Sequence, residues 1–193
     1  MKKSKFLSLA LVAVALFIGQ NSVAQDGMMK KEKTVMVGGA EMYPSKNIVE
    51  NAVNSKDHTT LVAAVKAADL VETLSSEGPF TVFAPTNVAF DALPAGTVDT
   101  LLKPENKKAL TGVLTYHVIA GKFSAADVIA LIKKNNGKAV VTTVAGADLT
   151  LTIKDGKVVI TDANGGMATV TIADVNQFNG VIHVVDAVLL PKM

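Results

Sequence analysis

The chain has 193 residues, 49% hydrophobic and 19% charged, which is enough apolar material for one cored domain and unlike a disordered chain. It has no cysteine, which excludes disulfides, iron–sulfur clusters and thiol catalysis. All 19 basic residues are lysines, and without arginine, the usual reader of phosphates and bases, the chain is poorly suited to nucleic acid.

Residues 1–24 read as a secretory signal peptide. Lys2, Lys3 and Lys5 form a positive start, and Phe6–Ile18 is an apolar run of 13 residues. That run is too short to span a bilayer, which takes about 20 residues. Ser22-Val23-Ala24 then supplies small residues for cleavage after Ala24. Loss of the three leader lysines takes the basic count to 16 against 17 acids, a net charge of −1. The expectation is an exported protein with no stable membrane insertion after cleavage, secreted, extracellular or periplasmic.

Residues 25–46 read as an N-terminal tail with a Lys-rich patch (Lys30, Lys31, Lys33) and four of the seven methionines. The sequence leaves open whether Met42-Tyr43 packs as an arm or belongs to a linker. Asn47–Asn54 carries an apolar stripe (Ile48, Val49, Ala52, Val53) at helical spacing. Asp57 is placed to cap a second helix through Leu61, Val62, Val65 and Ala68. A third piece runs from Asp69 to Leu74.

The segment Thr81–Phe90, TVFAPTNVAF, is the joint between strand and helix at the middle of the chain. Thr81-Val82-Phe83 is a short buried strand, Pro85 ends its ladder, and Thr86 caps a helix that starts at Asn87. Thr97 caps another short helix. Pro104 opens a helix running to about Ile119, and Ser124 caps Ala125–Lys134.

From Lys138 the period becomes two. Val140–Val144, Leu149–Ile153, Val158–Thr161, Thr169–Ala173 and Val181–Leu190 read as strands, with Asp155-Gly156 as a hairpin turn. Helices fill the first half and strands the second, so the class is α+β. The last strand, apolar on both faces, is expected to be central and long.

Candidate chemistry is sparse. His117 shares a helical face with Leu110, Val113 and Leu114, and reads as a core histidine. His183 lies in the buried strand, and His58, at a helix start, reads as solvent-facing. Asp162–Gly166 has half the look of a calcium loop but lacks the remaining ligands, and a hairpin turn explains it better. Asp186 inside a central strand needs hydrogen bonds to be tolerated. No nucleophile elbow, dinucleotide fingerprint or phosphate loop occurs. No metal or cofactor is expected.

Three ordered segments together resemble the fasciclin domain family: Thr81–Phe90, Tyr116-His117-Val118, and Asn179–Pro191 (NGVIHVVDAVLLP). The resemblance covers residues 47–191 and implies a β-sandwich or wedge of about seven strands with several helices packed on it. It implies no enzyme. It implies cell adhesion or extracellular-matrix association through non-covalent binding to extracellular proteins or polysaccharides. By the same resemblance, Thr86 and Phe90 are the cap and core anchor of the joint. Tyr116 and His117 match a tyrosine–histidine pair in or near an adhesive surface, and Asn179, Gly180, His183 and Asp186 match the final strand motif. The Asp-Ile element of integrin-binding animal members is absent near that motif, and no Asn-x-Ser/Thr glycosylation signal occurs, so integrin binding does not carry over. Two alternatives stand beside adhesion: an exported small-molecule or lipid binding module with a pocket between helices and sheet, and a hydrolase. Oligomeric state is not set by the sequence.

Overall fold

The computed structural model describes residues 32–192. The signal peptide and the first part of the tail lie outside the described residues. Among those described, no helix is long and apolar enough to cross a membrane.

The described chain opens with a hairpin, β1 (Val35–Val37) and β2 (Ala40–Met42), turned by Gly38-Gly39. Its inward residues Val37 and Met42 are buried in the main core. The Met42-Tyr43 segment therefore packs as an arm on the domain. Helix α1 (Ile48–Ala52) starts from a capping box, with Asn47 and Glu50 satisfying each other's backbone N–H groups.

Helix α2 (Thr59–Ala67) follows a 3-10 turn, Lys56–His58, so Asp57 does not cap it. Helix α3 (Val71–Ser75) leads to β3 (Phe80–Pro85). Thr86 caps α4 (Asn87–Asp91) by accepting the Ala89 N–H, and Phe90 is buried behind it. Gly96, at φ 80°, rather than Thr97, is the N-cap of α5 (Thr97–Leu101).

The expected helix from Pro104 to Ile119 divides into three. Pro104–Asn106 is a 3-10 turn, α6 is Lys107–Tyr116, and β4 is Val118–Ala120. The β-branched Val118 and Ile119 leave the helix because Val82 and Thr81 offer them a ladder. Helix α7 (Ala125–Lys134) has a Ser124/Asp127 capping box.

The strands β5 (Lys138–Thr142), β6 (Asp148–Lys154), β7 (Lys157–Thr161), β8 (Met167–Gln177) and β9 (Gly180–Val185) complete a seven-stranded sheet in the order β4-β3-β9-β8-β7-β6-β5. Only β3 and β9 run parallel. The Val144 N–H donates to the Val118 carbonyl at 2.8 Å, which brings the end of the meander back to β4. The fold is α+β with seven strands in the main sheet, as expected.

The last strand is internal and buried at every residue, but it is six residues long and stops at Val185. Asp186 is consequently exposed, not embedded in a central strand. Two cores flank the sheet. The helices α1, α2, α3 and α6 pack on one face with Val82, Ala84, Ile182 and Val184. Helix α7 covers the other face, with Phe83, Leu149, Leu151, Ile160 and Val185.

Candidate functional site

The motif side chains are spent on backbone groups. Tyr116 is 0% exposed and His117 3% exposed, so neither can form part of an adhesive surface, the role that the resemblance implied. Tyr116 ends α6 facing inward. Its hydroxyl donates to the Asp148 carbonyl at 2.8 Å and accepts the Ala163 N–H at 3.0 Å, tying two distant turns to the helix. Burial raises the phenol pKa. Tyr116→Phe is expected to lower the unfolding free energy by about 2 kcal/mol, because it leaves a carbonyl and an N–H without partners. Urea unfolding measures this, and a loss below about 0.5 kcal/mol would show that water replaces the hydroxyl.

His117 is a satisfied core histidine. Its Nδ1–H donates to the Val113 carbonyl at 2.8 Å and its Nε2 accepts the Leu189 N–H at 3.0 Å, which fixes the neutral tautomer. Burial pushes its pKa down to about 4, against the opposing pull of the Val113 carbonyl. His183 is held the same way. Its Nε2–H donates to the Phe123 carbonyl at 2.8 Å, and its Nδ1 accepts the Asp174 N–H at 3.3 Å. Burial lowers its pKa too.

Asn179 is a four-way clamp at the turn between β8 and β9. Its Oδ1 accepts the Ile48 N–H at 3.0 Å. Its Nδ2 donates to the Leu74 and Ser76 carbonyls at 2.8 and 2.7 Å. Its own carbonyl accepts the Phe80 N–H. Gly180 comes next because β3 passes so close there that a Cβ would lie 2.1 Å from the Phe80 carbonyl oxygen. Asp186 accepts the Thr169 N–H just past the end of β9.

The loop at Asp162 is a turn. Its carboxylate accepts backbone N–H groups from Asn164, Gly166 and Leu190 at 2.8–2.9 Å, which leaves it no role as a half-built calcium site. No group of three or more potential ligands stands ready for a metal ion among the described residues.

Two further residues have roles that were not apparent from sequence. Asn87, the first residue of α4, accepts the Thr60 N–H and donates to the Lys56 carbonyl, so the joint after β3 also holds the start of α2. His58 was expected to face solvent but is 3% exposed. Ser55 Oγ lies 2.8 Å from its Nδ1 and draws the ring inward. Its Nε2 has no hydrogen-bond partner. The nearby Ala84 carbonyl favours the charged ring without completing a bond, and burial outweighs it, lowering the pKa. The S-x-x-H spacing was the only available signal.

Ser55 and His58 make a hydroxyl–imidazole pair, but both are buried and no carboxylate orients the second nitrogen. The geometry is not that of a hydrolytic triad. His58 instead lines an apolar cavity between the helical layer and the sheet, with Leu61, Val65, Leu74 and Ile182 among its walls.

The fasciclin domain family model matches residues 56–191. "Protein sll1483" of Synechocystis sp. is 52% identical over 184 residues, covering 95% of this chain and 94% of that protein. "Cell surface glycolipoprotein MPB83" of Mycobacterium bovis is 34% identical over 145 residues, covering 72% of this chain and 58% of that protein. Among solved structures, the domain pair of the insect cell adhesion molecule fasciclin I overlays with a TM-score of 0.67 at 17% identity, covering 83% of this chain and 58% of that one. The family match spans the sheet and the helices that pack on it from α2 onward, and it includes each motif residue described above; the chain belongs to the fasciclin domain family.

Proposed function

We propose that this domain is an exported adhesion or matrix-association module that binds extracellular proteins or surface polysaccharides without covalent chemistry. The observation that carries this reading is the distribution of polar groups. Inside, the motif residues Tyr116, His117, Asn179 and His183 are all consumed by backbone hydrogen bonds. Outside, β5–β8 turn half-buried threonines and a few exposed aliphatic side chains away from α7.

Register places Val140, half-buried Thr150, half-buried Thr161 and Met167 in one row across the four strands; in the next row Lys138 is exposed and Thr152 and Thr169 are half-buried, while Val159 between them is buried. Val140 and Met167 are 57% and 59% exposed. Rows of threonine with exposed aliphatic groups suit a flat partner offering many hydroxyls, so a polysaccharide is the favoured partner. Kinship with a protein named for the cell surface supports the exported location, and the fold shared with an insect adhesion molecule supports the function.

The test is retention of the full chain on the producing organism's surface polysaccharides and, separately, its surface proteins. Thr150→Asp with Val140→Asp is expected to cut retention at least tenfold while leaving the melting temperature within a few degrees. Equal retention of the variant would remove this face from the proposal, and no retention of either chain at micromolar concentration would remove adhesion.

A further inference from the structure

Two of the motif segments converge on one turn. The Thr81 hydroxyl donates to the Gly121 carbonyl at 2.7 Å and accepts the Phe123 N–H at 2.9 Å. His183 Nε2–H donates to the Phe123 carbonyl at 2.8 Å. Gly121 has φ 105°, and a Cβ there would lie 3.0 Å from the Phe123 ring, so the ring rests directly against the glycine. The Phe123 backbone is thus fixed on both sides of its Cα, yet its side chain is only half-buried. In a chain with seven Phe, two Tyr and no Trp, a rigidly held aromatic at the surface stands out.

Phe123 borders an open groove of about 420 Å³ along α7, shared with Ala130 and Leu131 and with the charged residues Lys122, Asp127 and Lys134. From Asp127 to Lys134 the groove follows two turns of helix, about 10 Å. Both lysines are exposed, and the one ion pair among the described residues joins Lys107 to Asp69, so neither ammonium is neutralised by a carboxylate. Asp127 is turned back on Ser124, accepting its N–H and its hydroxyl at 2.9 and 2.6 Å. The groove therefore offers an aromatic and aliphatic floor with a free cation toward each end.

Each feature narrows the partner. An aromatic face carries partial negative charge and packs well on the C–H side of a sugar ring. Lysine ammoniums are compact point charges and suit carboxylates spaced along a chain. A lipid surface fits less well, because none of the groove's side chains is among the large apolar groups that project into solvent, such as Phe178 at 68% exposed. We infer that this groove binds a carboxylated polysaccharide, one uronate ring lying on Phe123 and the carboxylates along the chain reaching Lys122 and Lys134. The inference deepens the polysaccharide reading and rests on it, at a surface separate from the β5–β8 rows.

The experiment is a titration of the ¹⁵N-labelled full chain with a short oligogalacturonate, followed by NMR at the backbone amides of Lys122, Phe123 and Leu131. A saturable shift is expected, weakened at least tenfold by Lys122→Ala with Lys134→Ala. It is expected to vanish when the carboxylates are methyl-esterified, which keeps the sugar rings and removes the charge, and to weaken with added salt, because exposed charges are screened. Phe123→Leu is expected to weaken it as well; should that variant fold poorly, the lysine pair decides, since both lysines are exposed. Equal binding of the ester, or equal binding by the double lysine variant, overturns the proposal. A saturable response of these amides to anionic phospholipid vesicles and none to the oligosaccharide assigns the groove to a membrane surface and overturns it too. The soluble oligosaccharide keeps this test apart from the adhesion reading. No saturation here, with Thr150→Asp and Val140→Asp still cutting retention on surface polysaccharide, removes the groove and leaves that reading standing.

Discussion

Asn179→Ala is expected to lower the unfolding free energy by about 4 kcal/mol. The substitution strands three backbone groups at once: the Ile48 N–H and the Leu74 and Ser76 carbonyls. Each buried group left unpaired costs about 1–3 kcal/mol, and the lower half of that range applies to the more accessible Ser76 carbonyl. The three groups start α1, end α3 and lead into β3, so the loss loosens the helical layer from the sheet and not merely one turn.

Asn179→Asp separates the contributions. Its carboxylate still accepts from Ile48 but faces two carbonyls where the amide donated. It is expected to be as damaging as alanine at pH 7 and to recover partly in acid, when a protonated carboxyl donates once. Urea unfolding gives both numbers, and a loss below 1 kcal/mol for Asn179→Ala would show that the clamp is incidental.

Mild acid is the second large perturbation. His58, His117 and His183 are buried and held neutral, and burial lowers the pKa of each. A group with a folded-state pKa below its unfolded value binds more protons when unfolded. The neutral ring therefore contributes fully above the unfolded pKa, near 6.5, and that contribution falls as pH drops toward the folded value. For His117, with a folded value of about 4, the loss between pH 7 and pH 4 is about 3 kcal/mol at 1.36 kcal/mol per unit. The other two add in the same direction.

The diagnostic window is pH 6.5 to 5.5, where carboxylates hardly titrate. Stability there is expected to fall steeply, with the imidazole signals of the folded protein still those of neutral rings. A flat stability profile across that window, or a His117 ring titrating near 6.5 in the native state, would refute the assignment.

The architecture was legible because its signals are local. Strand, proline stop and Thr86 cap succeed one another in TVFAPTNVAF, and Asp155-Gly156 sits between two alternating runs. The features that were not legible depend on partners far along the chain. Val118–Ala120 carries the residues of a helix end as readily as those of a strand, and only Thr81 and Val82, some 37 positions earlier, decide it. His58 looks like a polar residue at a helix start. It turns inward because Ser55, three residues before it, holds its ring over a cavity formed by elements up to Ile182. Asp186 was placed inside a strand because GVIHVVDAVLL carries apolar residues on both faces, yet the strand ends at Val185, opposite Pro85 and Val170, and beyond it the Asp186 carboxylate, not a backbone carbonyl, takes the Thr169 N–H.

The parallel pairing of β3 with β9 sets a schedule for the chain as it is made. Phe80 must meet Gly180 and Pro85 must meet Val185, each about a hundred residues apart. The strand β9, which lies between β3 and β8, is thus made about a hundred residues after the strand it pairs with in parallel. Until it arrives, β3 has only the short β4 beside it and neither core can close. Contacts at such separation are slow to form, because the intervening chain must first be ordered. A nascent chain with this topology stays open until β9 has been made, the condition in which a polypeptide can still be threaded through a narrow pore, and its closure has no disulfide to wait for.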